Sequence, residues 1–285
     1  MDSMVVDLPL SILYAAVDAV REGFCVKLLD LRLHPQNWRE TLSRELEGGV
    51  RLIGISVMTG APLKNAREIT RLVRQAHPSV KIVWGGPHVT VVPETMQTED
   101  IDFMIRGYGS LPFASLLDAL RQPNPEFVSI KGLTYRGEAG SIVSNDRSRE
   151  HEMITHRDIP YHLLDVTDSR YSRSYNGTRM FPIFTAIGCP YKCTFCIHPR
   201  VYRVINGKKW NAYPPGEVVD HIDYLINRFG ARHICVLDDT SFPDLKRMED
   251  VFEEILKRRL DITLEFRGAR INELDRMDDR FRCCH

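Results

Sequence analysis

Strand-like and helix-like segments alternate twice along this chain, and this alternation constrains the fold more than any other feature of the sequence. In residues 8–122, short apolar runs of strand length are interspersed with longer segments whose apolar residues recur at helical spacing. The pattern stops near residue 123 and begins again at residue 181. Such alternation predicts parallel sheets covered by helices, so we expect an α/β protein with two units.

The first unit is predicted to be a layered sheet of four strands. The run over residues 52–57 is almost entirely apolar, so we expect that strand to be buried on both faces. The predicted strands are residues 26–30, 52–57, 80–84 and 102–105, and the predicted helices are residues 9–21, 63–76 and 111–120.

The middle of the chain is predicted to be a linker that contains a hairpin. Residues 130–135 and 141–144 can pair across a glycine-containing turn. After it, strands are predicted over residues 182–186, 233–237 and 262–266, with helices over 217–229 and 248–256. The predicted domains are therefore residues 1–122, a linker over 123–180, and residues 181–285.

Composition narrows the functional classes. The 38 basic residues equal the 38 acidic residues in number, which argues against nucleic acid as a partner. The sequence has neither a signal peptide nor an apolar run that could span a membrane, so we expect a cytoplasmic protein. In that reducing compartment, the clustered members of its seven cysteines are expected to bind metal or take part in redox chemistry.

Small and polar residues follow three of the predicted strands in the first unit. Parallel sheets bind ligands beyond the carboxyl ends of their strands, and small residues let a ligand approach the backbone. Glycines that only form turns are the alternative interpretation. The candidate binding residues are Ser56, Thr59, Gly85, Gly86, His88 and Gly107.

Three cysteines with the spacing C-x3-C-x2-C follow the first strand of the second unit. Cys189, Cys193 and Cys196 can surround one soft metal centre, because thiolates select zinc, copper(I) or iron–sulfur clusters. Three thiolates leave one iron of a [4Fe–4S] cube open to an outside ligand. Zinc with His198 as the fourth ligand is one alternative, and three free thiols are another. A structural zinc site needs a second pair of ligands, and the next pair of cysteines, Cys283–Cys284, comes far downstream.

This cysteine motif, with Phe195 before its last cysteine, resembles the signature of the radical S-adenosylmethionine (SAM) superfamily. The resemblance implies that Cys189, Cys193 and Cys196 hold a [4Fe–4S] cluster. It also implies that the cluster reductively cleaves SAM to methionine and a 5′-deoxyadenosyl radical, with Phe195 against the adenine. An electron donor such as flavodoxin or ferredoxin would then be a partner.

The first half of the chain is similar to the flavodoxin-like, Rossmann-like cobalamin-binding domain that precedes many radical SAM domains. Residues 53–56, 84–88 and 105–107 carry this resemblance. It implies that the candidate residues at the strand ends bind cobalamin. The D-x-H-x-x-G motif that supplies a cobalt ligand in some cobalamin proteins is absent, so that ligand is not expected here.

Two further polar residues in the second unit are candidates for contacts near SAM. Asp238, at the end of a predicted strand, is a candidate for contacts near SAM or substrate, with a helix cap as the alternative. Arg270 can pair with the SAM carboxylate, with a solvated surface arginine as the alternative.

The resemblance implies an enzyme that acts on a small-molecule substrate, namely a cobalamin-dependent methyltransferase or a related catalyst of C–H functionalisation. A radical SAM oxidative cyclase and a non-catalytic remnant that binds cobalamin or a cluster are the alternatives. The second unit corresponds to the first half of a radical SAM partial barrel, and residues 280–285 do not resemble family sequence. We therefore expect a truncated or frameshifted product.

Overall fold

The computed structural model describes residues 6–171, 177–201 and 207–277. The chain divides into two compact units. One is Ser11–His151, and the other comprises the described residues on either side of it, 6–10 and 152–277. Cys283, Cys284 and the rest of the segment 280–285 lie outside the described residues.

The first unit is a five-stranded sheet with helices between its strands. The strand order is β1-β2-β3-β4-β5, in which β1, β2 and β3 are parallel and β4 and β5 are antiparallel. The strands are β1 (Leu52–Ser56), β2 (Lys81–Gly85), β3 (Phe103–Ile105), β4 (Leu133–Arg136) and β5 (Ile142–Ser144). The helices are α1 (Leu10–Arg21), α2 (Trp38–Leu46), α3 (Ala61–Ala76), α4 (Pro87–Val91), α5 (Thr95–Thr98) and α6 (Ser110–Ala119), and the 3-10 turns are Leu31–Leu33 and Glu138–Gly140.

Strand β2 forms the centre of this unit because its side chains alternate between two apolar layers. Ile82 and Trp84 are fully buried in one cluster, and Val83 belongs to the other. The indole nitrogen of Trp84 donates to the hydroxyl of Thr70 at 3.0 Å, which satisfies the buried polar atom and ties the strand to α3. The predicted α/β layering is confirmed by this arrangement.

Two expectations for the first unit were wrong. Residues 26–30 form no strand, and the chain instead turns at Leu31–Leu33, where Asp30 accepts a hydrogen bond from the backbone of Arg32. Strand β1 forms as predicted but is only partly buried, since β2 is its one partner among the described strands. Local apolar patterns do not determine strand pairing, which is a property of the whole sheet.

The predicted hairpin is confirmed as β4 and β5, and it extends the first sheet. Strand β4 pairs with β3 over Phe103–Ile105, and Thr134 Oγ1 lies 2.8 Å from Ser144 Oγ across the hairpin. Thus part of the segment 123–180 is built into the sheet of the first unit. The predicted domain boundaries at residues 122 and 180 stay a prediction.

The second unit contains a parallel three-stranded sheet in the order β10-β9-β6 and a small antiparallel pair, β7 and β8. Its strands are β6 (Met180–Ile183), β7 (Ala186–Gly188), β8 (Trp210–Ala212), β9 (His233–Val236) and β10 (Thr263–Phe266). Its helices are α7 (His198–Val201), α8 (Pro215–Phe229), α9 (Leu245–Lys257) and α10 (Ile271–Leu274), and its 3-10 turn is Tyr161–Leu163.

Residues 152–171 pack on α8 through a buried polar cluster. The hydroxyl of Tyr161 lies 2.8 Å from His221 Nε2, and His156 Nδ1 lies 2.9 Å from Glu217 Oε1. Burial lowers the pKa of His221 to about 3, so the ring is neutral at neutral pH. These contacts anchor the start of the second unit to its longest helix.

Apolar residues at helical spacing place α8 and α9 on the sheet of the second unit. Val219, Ile222 and Leu225 of α8 are buried, as are Met248 and Val251 of α9. None of the helices in the described ranges is long and apolar enough to cross a membrane.

Candidate cluster-binding loop and cobalamin-binding edge

The cysteine loop, residues 189–196, follows β7, and a buried carboxylate holds the turn between β6 and β7 that leads to it. Asp238, which follows β9, accepts hydrogen bonds from the backbone nitrogens of Thr185 at 2.7 Å and Ala186 at 3.0 Å, and from the Thr185 hydroxyl. Burial raises the pKa of Asp238 to about 6. Both oxygens of Asp238 therefore fix the start of β7. Asp238 is not a helix cap, because the N-cap of α9 is Asp244.

A buried arginine holds the same turn from its carbonyl side. Arg247 on α9 donates through Nη2 to the Thr185 carbonyl at 2.7 Å and through Nε to the Tyr213 carbonyl at 2.8 Å. The backbone of Thr185 is thus held on both sides. Its N–H donates to the Asp238 carboxylate, and its carbonyl accepts from the Arg247 guanidinium. Sequence reasoning missed Arg247, because nothing in a helical arginine indicates that it points inward.

Two glycines permit close backbone approaches around the cysteine loop. Gly188 has a φ of +86°, and a Cβ built on it would lie 2.4 Å from the Lys209 carbonyl oxygen. A Cβ built on Gly268, which follows β10, would lie 2.1 Å from the Asp238 carbonyl oxygen. These positions require glycine for the β7–β8 pair and for the packing of the β10 loop on the β9 loop.

The three thiols of the loop are partly exposed beside the carboxyl ends of β6, β9 and β10. Cys193 and Cys196 are linked by a turn in which Cys196 N donates to Cys193 O at 3.1 Å. Burial raises the pKa of the Cys189 thiol. In the described ranges, no three His, Cys, Asp or Glu side chains converge on the position of one metal ion. The donor chemistry, three thiols reachable from outside on a fixed loop, fits an iron–sulfur cluster.

A second layer of side chains packs behind the loop. Arg270 stacks its guanidinium 3.8 Å above the Tyr191 ring and points Nη1 at Cys193 Sγ, 3.6 Å away. Glu273 is fully buried and accepts a hydrogen bond from the Tyr191 hydroxyl at 2.8 Å. Sequence reasoning found Arg270 but missed Glu273. Its only local signal is the three-residue capping-box spacing from Arg270.

The structure also places the remaining candidates of this unit. Phe195 is 92% exposed, so its ring is available to a ligand. His198 Nε2 lies 3.0 Å from Asp239 Oδ1. The histidine proposed as a fourth zinc ligand is therefore already paired with a carboxylate.

The candidate cobalamin residues gather at the carboxyl ends of β1, β2 and β3. Two backbone hydrogen bonds join the ends of β1 and β2. Val57 N donates to Gly85 O at 2.8 Å, and His88 N donates to Val57 O at 3.1 Å. Gly86 has a φ of +97°, and a Cβ there would lie 2.9 Å from Val57 O and 3.4 Å from Ser56 Oγ. Ser56 itself is exposed at the end of β1.

His88 is held inside this edge by two hydroxyls. Its Nδ1 lies 3.0 Å from Thr59 Oγ1, and its Nε2 lies 3.2 Å from Thr95 Oγ1. Burial lowers the pKa of His88, so the neutral ring is favoured. With both nitrogens engaged, His88 orders the loop that carries Thr59.

Gly107 closes the edge beside β3. Its backbone nitrogen donates to Thr90 Oγ1 at 2.9 Å, and that hydroxyl donates to the Gly86 carbonyl at 2.8 Å. A Cβ on Gly107, whose φ is +92°, would lie 3.0 Å from Arg147 Nε. The six candidates therefore form one continuous edge, with exposed small residues at β1 and left-handed glycines at β2 and β3. The carboxyl edge of a parallel sheet, with exposed residues after β1, fits a bulky ligand.

Two family models match the chain. Residues 4–117 match the B12 binding domain, and residues 183–282 match the radical SAM superfamily. These matches confirm the predicted combination of a cobalamin-binding domain and a radical SAM domain, and with it the expected cofactor classes. The chain belongs to the radical SAM proteins that carry a B12-binding domain.

Curated relatives extend over nearly the whole chain. An uncharacterized methyltransferase of Pyrococcus horikoshii is 30% identical over 258 residues, covering 90% of this chain and 54% of the relative. An anaerobic magnesium-protoporphyrin IX monomethyl ester cyclase of Synechocystis is 24% identical over 260 residues, covering 90% of this chain and 50% of the relative. The chain thus spans about half the length of these two relatives.

Solved structures share the fold. The radical SAM methyltransferase TsrM from Kitasatospora setae, with cobalamin and a [4Fe–4S] cluster bound, matches with a TM-score of 0.69 at 20% identity. That match covers 91% of this chain and 49% of TsrM. The cobalamin-dependent radical enzyme OxsB matches with a TM-score of 0.71 at 20% identity, covering 91% of this chain and 36% of OxsB. The predicted fold class is confirmed.

Proposed function

We propose that this chain holds the cluster and the cobalamin of a radical SAM methyltransferase. One observation carries the proposal: the carboxyl edge of β6, β9 and β10 gathers the cysteine loop, Asp238 and Arg270 although 81 residues of sequence separate Cys189 from Arg270. Ligand sites of parallel sheets form at this edge.

In this proposal, Cys189, Cys193 and Cys196 hold a [4Fe–4S] cluster. The bound cluster supplies the electron for the reductive cleavage of SAM. The chain's own residues give the loop its shape: Asp238 and Arg247 fix its base. Arg270 contacts it from the side.

Binding of SAM would use the exposed ring of Phe195 against the adenine. The guanidinium of Arg270 lies beside Cys193, and it would pair with the SAM carboxylate. Asp238 has both oxygens engaged by the loop, so its contribution to SAM binding is through the position of that loop.

The edge of β1, β2 and β3 would hold cobalamin. Ser56 and Thr59 are exposed polar residues, and the Thr59 hydroxyl is held by His88. Gly85, Gly86 and Gly107 let the ligand lie against the backbone. His88 supports Thr59 from behind and, with both ring nitrogens engaged, does not offer a nitrogen to cobalt.

The substrate is proposed to be a small molecule, and the electron donor a flavodoxin or ferredoxin in the cytoplasm. A second candidate function is oxidative cyclisation, which the 24% identity to the Synechocystis cyclase over 90% of this chain favours. Turnover of SAM distinguishes a methyltransferase or a cyclase from a non-catalytic protein that binds the same cofactors.

Anaerobic reconstitution with iron and sulfide tests the proposal. We expect about four irons and four sulfides per chain and, after reduction with dithionite, a paramagnetic resonance signal that changes when SAM is added. Formation of 5′-deoxyadenosine would then support an enzyme over a remnant. The chemical identity of the product, methylated or cyclised, distinguishes methyl transfer from ring formation.

Cys193→Ala and Cys25→Ala form a matched pair for this experiment. Cys193 lies in the loop, whereas Cys25 is exposed in the other unit. The first substitution should abolish the cluster signal and the second should leave it intact. Stoichiometric zinc, or equal iron uptake by both variants, would contradict the assignment.

A further inference from the structure

Arg270 is held against the cysteine loop by contacts at both ends of the residue. At one end, Nη1 donates toward Cys193 Sγ over 3.6 Å, and the guanidinium plane lies on the Tyr191 ring. At the other end, its backbone nitrogen donates to Glu273 Oε2 at 2.9 Å. The side chain is therefore oriented before any ligand arrives.

Glu273 links all the parts of this arrangement. It is fully buried, and it accepts hydrogen bonds from Arg270 N, from the Tyr191 hydroxyl and from the Thr240 hydroxyl, the last at 2.8 and 2.9 Å from its two oxygens. These donors come from the N-cap of α10, from the cysteine loop and from the loop after β9. A carboxylate with this many donors fixes the spacing between the three segments.

A donor aimed at a ligand sulfur has a defined effect on an iron–sulfur cluster. An N–H group, here also positively charged, stabilises the extra negative charge of the reduced cluster and so raises its reduction potential. Tyr191 and Glu273 do not reach the sulfur of Cys193 in this structure. They act through the orientation of Arg270.

We propose that Arg270 raises the reduction potential of the cluster through its hydrogen bond to Cys193, and that Glu273 and Tyr191 are the positioning residues that fix this bond. The proposal rests on the proposed function, in which Cys193 is a cluster ligand. It assigns Arg270 an effect on the cluster itself, separate from pairing with the SAM carboxylate.

The test is a redox titration of the full chain after reconstitution with iron and sulfide. Dithionite with mediator dyes reduces the cluster, and paramagnetic resonance quantifies the reduced form. The variants are Arg270→Gln, Arg270→Lys, Glu273→Gln and Tyr191→Phe. Arg276→Gln is the matched control, because Arg276 is exposed near the same helix and carries the same charge. Iron content is measured for every protein.

We expect Arg270→Gln to shift the midpoint potential to a more negative value at an iron content equal to that of the unchanged chain. Arg270→Lys should give a smaller shift in the same direction, since lysine keeps the charge but not the planar fork. Glu273→Gln and Tyr191→Phe should also shift it negatively. In the Arg270→Gln background neither should add to the shift, because both act through that side chain. Arg276→Gln should leave it unchanged.

Two outcomes overturn the proposal. The first is an unchanged midpoint potential in Arg270→Gln or, should that variant take up less iron, in Arg270→Lys. The second is a SAM dissociation constant that rises at least tenfold while the potential stays fixed, which would assign Arg270 to the SAM carboxylate alone. An unchanged chain that binds no iron would instead refute the proposed function, so the two failures are distinct.

Discussion

The two units present the same kind of sheet edge but hold it with different chemistry. At the edge of β6, β9 and β10, three buried charged side chains, Asp238, Arg247 and Glu273, fix the loops. At the edge of β1, β2 and β3, the contacts of the candidate residues come mainly from backbone groups, hydroxyls and the neutral ring of His88.

In the proposed function, this difference follows from what each edge would hold. Thiolate ligands must be positioned as individual atoms, and charged hydrogen bonds are about twice as strong as neutral ones, so buried charges suit that task. A large flat ligand is held by shape, and glycines with positive φ give it access to the backbone. We therefore expect both edges to be sensitive to volume added at their closely packed glycines, and only the edge of β6, β9 and β10 to depend on charged hydrogen bonds.

The largest effect is expected from Gly268→Ala. The new Cβ would lie 2.1 Å from the Asp238 carbonyl oxygen, so the β9 and β10 loops must separate, at a cost of about 3 kcal/mol in the free energy of unfolding. Cluster uptake should fall with it. Urea unfolding and iron content measure the two effects.

Gly216→Ala is the control for that substitution. Gly216 lies in the first turn of α8 with open space around its Cβ position, so alanine should leave stability unchanged or raise it by up to about 1 kcal/mol. If Gly268→Ala were as stable as this control and took up as much iron, the close approach of the two loops would not matter for the site.

Gly86→Ala should have the next largest effect, and it tests the other edge. A Cβ at a φ of +97° and 2.9 Å from Val57 O should cost about 2 kcal/mol and weaken cobalamin binding at least tenfold. Titration with aquacobalamin, followed by absorbance, measures the affinity.

Gly49→Ala tests whether backbone strain alone, away from the edge of β1, β2 and β3, weakens cobalamin binding. Gly49 also has a positive φ, +81°, but it precedes β1 and has open space around it, so alanine should cost about 1 kcal/mol without weakening cobalamin binding. Equal loss of cobalamin affinity in both glycine variants would show that binding does not occur at the edge of β1, β2 and β3.

Within the first pH unit below 6.5, the smallest effect is a pH dependence of the second unit. The pKa of His221 falls from 6.5 to about 3 on folding, because its ring is buried. Between these values, the unfolded chain binds a proton that the folded chain does not. Stability should therefore fall as the pH drops from 6.5 toward 3, by at most about 1.4 kcal/mol per pH unit.

Hydrogen exchange with mass spectrometry resolves this effect by region. His221→Gln should reduce the acid-induced loss of protection in α8, while the first unit is unaffected. His162→Gln is the control, since His162 is exposed beside Tyr161. If His221→Gln left the acid sensitivity of α8 unchanged, the buried ring would not be its origin.

The sequence predicted most helices and strands because their patterns are local. The helix predicted over residues 217–229 and the strand over 233–237 appear within two residues as α8 and β9. The strand over residues 26–30 was wrong, since an extended apolar segment becomes a strand only when another strand pairs with it. Candidate site residues could be named where spacing defined them, as with the three cysteines.

What the sequence determined by itself was most of the order of α and β elements and the candidate ligand set of the loop, because periodicity and C-x3-C-x2-C spacing are local properties of the chain. Which distant groups support that loop was decided only by the tertiary structure. Arg247 and Glu273 are ordinary helical residues in the sequence. They reach Thr185 and Tyr191 because parallel strands bring the loops at their carboxyl ends together at one edge.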